Sequence, residues 1–421
     1  MTKTQTLSNK TRITIANQEG TDAATILVML PVGSRNEPED LYGVSHFIEH
    51  MIFKGTEKRP TSLDISREID RLGADYNAFT SKEYTGFYIK VASNHINQAV
   101  EILSDVVYNS VFDPEEMKKE KSVITEEINM YEDNPAMNIR NLFGKVMYKD
   151  SPLEHDIYGT RESVLNLNRE DVVAYRDKYY RPEVIQIIGS GSVGGTQEII
   201  GDHFGAEKST KEADLETEPA SFGPLQTQER YEVQKEETDQ FQLMLGFPGR
   251  KLGHSDLPAL KVLNNVLGAN MSSRLFVNIR EKLGLAYSIR SGLASYSDIG
   301  HLYIKSGLDS KNIDKALSEI KKTLKDIKEY GLEQDEFEDA KTNIKGSMKL
   351  KMEDSKARAM WIGRRMVILN ETYTPDQFID QIKSVSKSEV EEVAQEIFDF
   401  DKMRLAGIGD VEDNIIRKHL E

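Results

Sequence analysis

Val44-Ser45-His46-Phe47-Ile48-Glu49-His50-Met51-Ile52-Phe53 reads as one amphipathic helix in which two imidazoles and a carboxylate stand among apolar residues. Side chains four apart share a helix face, so His46 and His50 can reach one point. At about 100° per residue, Glu49 lies roughly 60° to one side of His46 and His50 roughly 40° to the other, so all three project into one cleft. The order H-x-x-E-H reverses the H-E-x-x-H motif, in which two imidazoles hold zinc and the glutamate is a general base. Working outward, a strand-like run over 24–30 precedes this helix, and a second helix over 63–72, opened by Pro60-Thr61-Ser62, follows it. Strand-like segments over 74–80 and 84–91 form a hairpin across Ser81-Lys82-Glu83. Helical patterns then cover 96–108, 114–131 and 137–147. Helices and strands mix without strict alternation, which predicts an α+β fold.

A catalytic zinc needs a third protein ligand and an open position. The chain has no cysteine, so a thiolate ligand and a disulfide framework are both excluded and a carboxylate is the natural candidate. The helix over 114–131 has an apolar stripe through Met117, Ile124, Ile128 and Tyr131. Glu120 and Glu127 lie on or beside that stripe, whereas Glu126 points away. An acid on a core-facing side is costly unless it is paired or holds a metal, so these two need explaining.

Length and composition bound the rest. At 421 residues, two or more domains are expected. The composition, 38% hydrophobic and 29% charged, is that of a soluble globular protein. A net charge of −16 argues against nucleic acid as the main partner, since phosphate binding needs clustered Lys and Arg. No apolar run is long enough to span a bilayer, and residues 1–20 lack the apolar core of a secretory signal, so the cytoplasm is the expected compartment.

Residues 208–228 (KSTKEADLETEPASFGPLQTQ) are polar and aperiodic and read as a linker between domains over 1–207 and 229–421. The two halves match in order. Asp40-Leu41 corresponds to Asp256-Leu257, Ile96-Asn97-Gln98-Ala99-Val100 to Ile313-Asp314-Lys315-Ala316-Leu317, and Phe112 through Met117 to Leu332 through Phe337. Two copies of one α+β unit follow. In the second copy Val262, Asn265 and Val266 stand opposite His46, Glu49 and His50, and Ser347 opposite Glu127, so one metal site per chain is expected.

The segment from His46 to Thr56 (HFIEHMIFKGT), taken with Glu120 through Pro135 (EKSVITEEINMYEDNP), resembles the M16 family of inverted-motif zinc peptidases. That family includes pitrilysin, insulin-degrading enzyme and the mitochondrial processing peptidase. The resemblance covers nearly the whole chain, whose length is similar to the short, two-domain bacterial branch, M16B. It implies two homologous α+β domains forming half of a clamshell that encloses unfolded peptides or small proteins. It implies Glu127, 77 positions after His50, as the third zinc ligand and Glu120 as a partner holding a ligand imidazole. Arg280-Glu281-Lys282-Leu283-Gly284-Leu285-Ala286-Tyr287 resembles the segment whose Arg and Tyr bind substrate and stabilise the tetrahedral intermediate, which assigns those roles to Arg280 and Tyr287. Asn77 and Ala78 match an open strand edge that pairs with extended peptide, and Phe53 an apolar pocket residue beyond the scissile bond. A homodimer exchanging Arg280 and Tyr287 in trans follows as an expectation. The acids by which processing peptidases read arginine are replaced by Pro135, Ala136, Met137 and Asn141, so that preference is not expected.

Two rival readings stand beside this one. Gly189-Ser190-Gly191-Ser192-Val193-Gly194 is formally G-x-G-x-x-G, but a polar linker follows instead of a second strand ending in a ribose-binding acid, so it reads as a turn. Members of the family also serve as inactive scaffold or partner subunits. This sequence keeps every ligand position and the Arg/Tyr segment, which favours catalysis.

Overall fold

The computed structural model describes residues 2–206 and 229–420, and the expected linker over 208–228 lies outside them. The first repeat runs β1 (Thr2–Thr6), β2 (Arg12–Asn17), β3 (Ala23–Leu30), α1 (Val44–Met51), α2 (Ser62–Arg71), β4 (Asp75–Thr80), β5 (Thr85–Ala92), α3 (Ile96–Asn109), α4 (Pro114–Glu132), α5 (Pro135–Met147), α6 (Arg161–Asn166), α7 (Arg169–Tyr179), β6 (Gln186–Gly191) and α8 (Gln197–Phe204). The second runs β7 (Tyr231–Gln234), β8 (Phe241–Pro248), α9 (Leu257–Asn264), β9 (Ala286–Ser295), β10 (Gly300–Leu308), α10 (Ile313–Tyr330), α11 (Gln334–Lys351), α12 (Ser355–Leu369), α13 (Pro375–Ser384), α14 (Lys387–Ile397), β11 (Arg404–Ile408) and α15 (Asp413–Leu420).

The expected elements form with small shifts at their ends. α1 stops at Met51, two residues short of the expected 53, as the chain turns toward Gly55. Thr61 caps α2 in a reciprocal box with Asp64, and Asn134 caps α5 ahead of Pro135. β4 and β5 pair antiparallel from Asp75↔Lys90 to Thr80↔Thr85 across the expected turn.

Sheet order demonstrates the repeat. The first sheet is β1-β2-β6-β3-β5-β4 and the second β7-β11-β8-β10-β9. Without β1 the two correspond strand for strand: β2/β6 and β7/β11 are the parallel pairs, and the remaining pairs are antiparallel. β4 and β9 are the equivalent edge strands.

Each compact unit is completed by one segment of the other repeat. The first unit includes Lys349–Pro375, so α12 packs on its sheet, with Ala359, Ile362 and Met366 against Leu27, Met29 and Ile188. The second includes Asn129–Glu154, so α5 sets Ile139, Phe143 and Met147 against Met244, Ala406 and Ile408. Burying such side chains contributes about 1.5–3 kcal/mol each, which makes the borrowed helix part of each core.

The glycine-rich segment serves packing. Gly191 ends β6 at φ 95°, and a Cβ there would sit 2.1 Å from the Ala23 carbonyl oxygen. No helix among the described residues is long and apolar enough to cross a membrane.

Candidate metal centre

α1 buries Val44, Phe47, Ile48 and Met51, and this apolar side fixes where its polar residues point. His46 and His50 project together, their rings edge to face with centroids 4.5 Å apart and their Nε2 atoms 3.3 Å apart. α4 buries Met117, Glu120, Ile124 and Ile128, which carries the neighbouring Glu127 to the same point. Glu127 Oε2 lies 3.4 Å from His50 Nε2 and 3.7 Å from His46 Nε2. These three are the one group of potential metal ligands found among the described residues.

The donor set fits a zinc ion. Two donors each about 2.0–2.1 Å from one ion at the tetrahedral angle stand about 3.3–3.4 Å apart. The observed separations of 3.3, 3.4 and 3.7 Å form such a triangle. Protonation favours the same use at His46 and Glu127. Burial, then the charge of His50, pushes His46 down to about 4, so it is a neutral ligand at pH 7. Burial pulls His50 down, but the hydrogen bond and charge of Glu127 outweigh it and leave His50 raised. The His50 hydrogen bond holds Glu127 below the usual carboxylate range, against the opposing effect of burial.

Glu49 lies beside this triangle with its pKa raised, chiefly by burial, while the Thr80 hydroxyl and backbone offset part of the rise. Glu120 is buried and paired with Lys54 Nζ, and His46 Nδ1 is buried with no hydrogen-bond partner. Glu120 therefore does not orient the His46 ring. Phe53 meets Tyr76 of β4 edge to face at 5.4 Å. Asn77 and Ala78 lie on edge strand β4, where Asn77 Oδ1 accepts the Ala78 N–H at 2.9 Å.

Arg280 and Tyr287 belong to the second unit. Arg280 sits in a π-helical turn, Phe276–Lys282, with its guanidinium 4.6 Å from the centre of the Phe276 ring. Tyr287 is the second residue of β9 and is 78% exposed. In this unit Val262 and Val266, opposite His46 and His50, are buried apolar residues, and Asn265, opposite Glu49, donates from Nδ2 to Asn343 Oδ1 at 2.9 Å.

Sequence reading missed Glu37. Its Oε2 accepts the Gly43 N–H at 2.7 Å and its Oε1 the Ser45 N–H at 2.8 Å. Gly43 precedes α1 at φ 91° and has no side chain for capping, so Glu37 does from the preceding loop what a capping residue does locally. Burial pushes Glu37 up to about 7 against these two hydrogen bonds. An uncapped helix start with an acid six residues earlier is the signal that could have found it.

The fold and the three-donor centre together resemble those of peptidases of the inverted zinc-motif class. The chain belongs to peptidase family M16: the family profile described as Insulinase (Peptidase family M16) matches residues 12–161, and that of the Peptidase M16 inactive domain matches residues 166–344. It is 36% identical over 409 residues to the uncharacterized zinc protease YmxG of Bacillus subtilis (strain 168), covering 94% of this chain and 96% of that one. It is 32% identical over 396 residues to an uncharacterized zinc protease of Streptomyces coelicolor, covering 93% and 86% respectively. In fold it is similar to a crystal structure of a protease from Helicobacter pylori, with a TM-score of 0.90 at 22% identity over 97% of this chain and 99% of that one.

Proposed function

We propose that this chain is a zinc-dependent endopeptidase in which His46, His50 and Glu127 hold one Zn2+ and Glu49 is the general base. The observation that carries this reading is the triangle of three donor atoms with sides of 3.3, 3.4 and 3.7 Å. When bound, zinc supplies the Lewis acidity that polarises the scissile carbonyl and acidifies water. Glu49, its affinity for protons raised by burial, takes the proton of the attacking water at its carboxylate and delivers it to the leaving amine. Edge strand β4 pairs with the extended substrate near Asn77 and Ala78, and such backbone pairing suits unfolded peptides of varied sequence. Phe53 provides an apolar wall for the residue beyond the scissile bond. Arg280 and Tyr287 stabilise the developing oxyanion, supplied in trans within a cytoplasmic homodimer that closes as a clamshell.

The test maps the cuts made in a mixed peptide library by wild type beside Glu49→Gln. Glu49→Gln is expected to keep its zinc and lose roughly 10²–10⁴-fold in kcat. Phenanthroline is expected to abolish wild-type cleavage reversibly. Undiminished turnover in Glu49→Gln would refute the base assignment. A purified chain with neither zinc nor cleavage would leave the inactive-partner reading in its place.

A further inference from the structure

β4 has two faces with different surroundings. Tyr76 meets Phe53, and Thr80 faces Glu49, so even-numbered residues point toward α1. Asp75 and Phe79 point the other way, toward α12. On that second face, beyond the flank of α12, lies a cleft of about 540 Å³ that the proposed chemistry does not use. Its lining includes the rings of Phe79, Tyr84, Tyr88 and Trp361 and the cations Lys351, Lys356 and Arg364. Among the described residues no acidic side chain lines it, in a chain whose net charge is −16. Lys356 is partly committed, with its Nζ 2.9 Å from Asp75 Oδ2 and 3.1 Å from the Tyr88 hydroxyl, while Lys351 is exposed. The sign of the charge selects an anion, and the rings select an apolar neighbour to it.

A peptide added to β4 would lie about 4.8 Å beyond it and place alternate side chains on each face of the sheet. One set would face α1 and the metal centre, and the other would face the cleft. We infer that this cleft is a second specificity subsite, which receives the side chains of a β4-paired peptide that point away from α1 and selects a glutamate or aspartate with an aromatic or aliphatic residue two positions away, on the same face. The inference rests on the peptide pairing along β4 proposed above. It makes substrate preference a property of alternate positions, acidic on one face and independent of the residue seated against Phe53 on the other.

Trp361 is the chain's single tryptophan, so its emission reports on the cleft without any need for cleavage. The experiment titrates the Glu49→Gln protein with extended, amidated peptides that differ only in Glu-Ala-Phe against Lys-Ala-Phe, and adds a third with no acidic side chain but a free C-terminus. The expected result is a saturable change in Trp361 emission with the Glu-Ala-Phe peptide, at an affinity about tenfold or more above that for Lys-Ala-Phe. Lys351→Glu, an exposed substitution, removes or reverses that preference, and library cleavage by wild type shows acidic residues enriched at alternate positions. Equal responses to the Glu and Lys peptides, no saturable response, or a response confined to the free C-terminus would each overturn the inference. Failure of the peptidase reading is separate: it appears as a chain that binds no zinc and cuts nothing, whatever Trp361 reports.

Discussion

Glu37 shows how one carboxylate can shape the centre without touching it. It accepts two N–H groups at the start of the helix that carries His46, Glu49 and His50, from a site where burial pushes it from 4.5 up to about 7. A carboxyl whose folded pKa exceeds its unfolded value binds more protons in the folded state between the two values. Its contribution to stability is therefore fully present below pH 4.5 and is lost as pH rises through 7, a change of about 3 kcal/mol. Glu37→Gln should flatten that slope in denaturation curves measured from pH 4.5 to 7. It should also cost about 1–3 kcal/mol at pH 5, because an amide nitrogen cannot accept the second N–H. An unchanged slope would show that Glu37 does not titrate in this window. The three-donor cluster was legible in part: spacing places His46, Glu49 and His50 on one face and the stripe of α4 separates Glu127 from Glu126, but only the resemblance to M16 chose Glu127 over Glu120. Glu37 was not legible because its partners are backbone groups, which leave no pattern among side chains. The partner of Glu120 was likewise hidden, since Lys54 lies in an irregular turn after α1.

At the scale of elements, periodicity located β3, β4, β5 and α1 to α5 to within two residues at their ends but left β1, β2, α6, α7 and α8 unread, and capping residues such as Thr61 and Asn134 explain where helices begin. The glycine-rich segment after 188 illustrates a motif whose letters allow two structures. In the fold, Gly191 is fixed by its φ of 95° and by the Ala23 carbonyl, with no phosphate required. Gly191→Ala should therefore destabilise the first unit by about 2 kcal/mol or more, seen as a lowered Tm. A variant as stable as wild type would show that this turn relaxes freely and would reopen the question of why glycine stands there. Sequence could not show which sheet α5 and α12 cover. Amphipathicity says that a helix buries one face, but the partner of that face is chosen by the path of the chain.

At the scale of the molecule, that exchange of helices ties the repeats together. A fragment of residues 1–207 lacks α12 and would expose Leu27, Met29 and Ile188, all fully buried in the whole chain. We expect this fragment to be insoluble or molten alone and to be rescued when 229–421 is co-expressed, as judged by solubility and near-ultraviolet circular dichroism. A stable, cooperative 1–207 domain would contradict the structural role given to α12. The same duplication bears on the stoichiometry of metal, because the second repeat keeps the sheet but has Val262 and Val266 opposite the imidazoles of His46 and His50. The most direct test is the zinc content of the purified, zinc-reconstituted protein beside Glu127→Gln. The account predicts one ion per chain in wild type, with most of it lost in the variant while the fold is retained. Two ions per chain, none, or one that persists undiminished without the Glu127 carboxylate would contradict it.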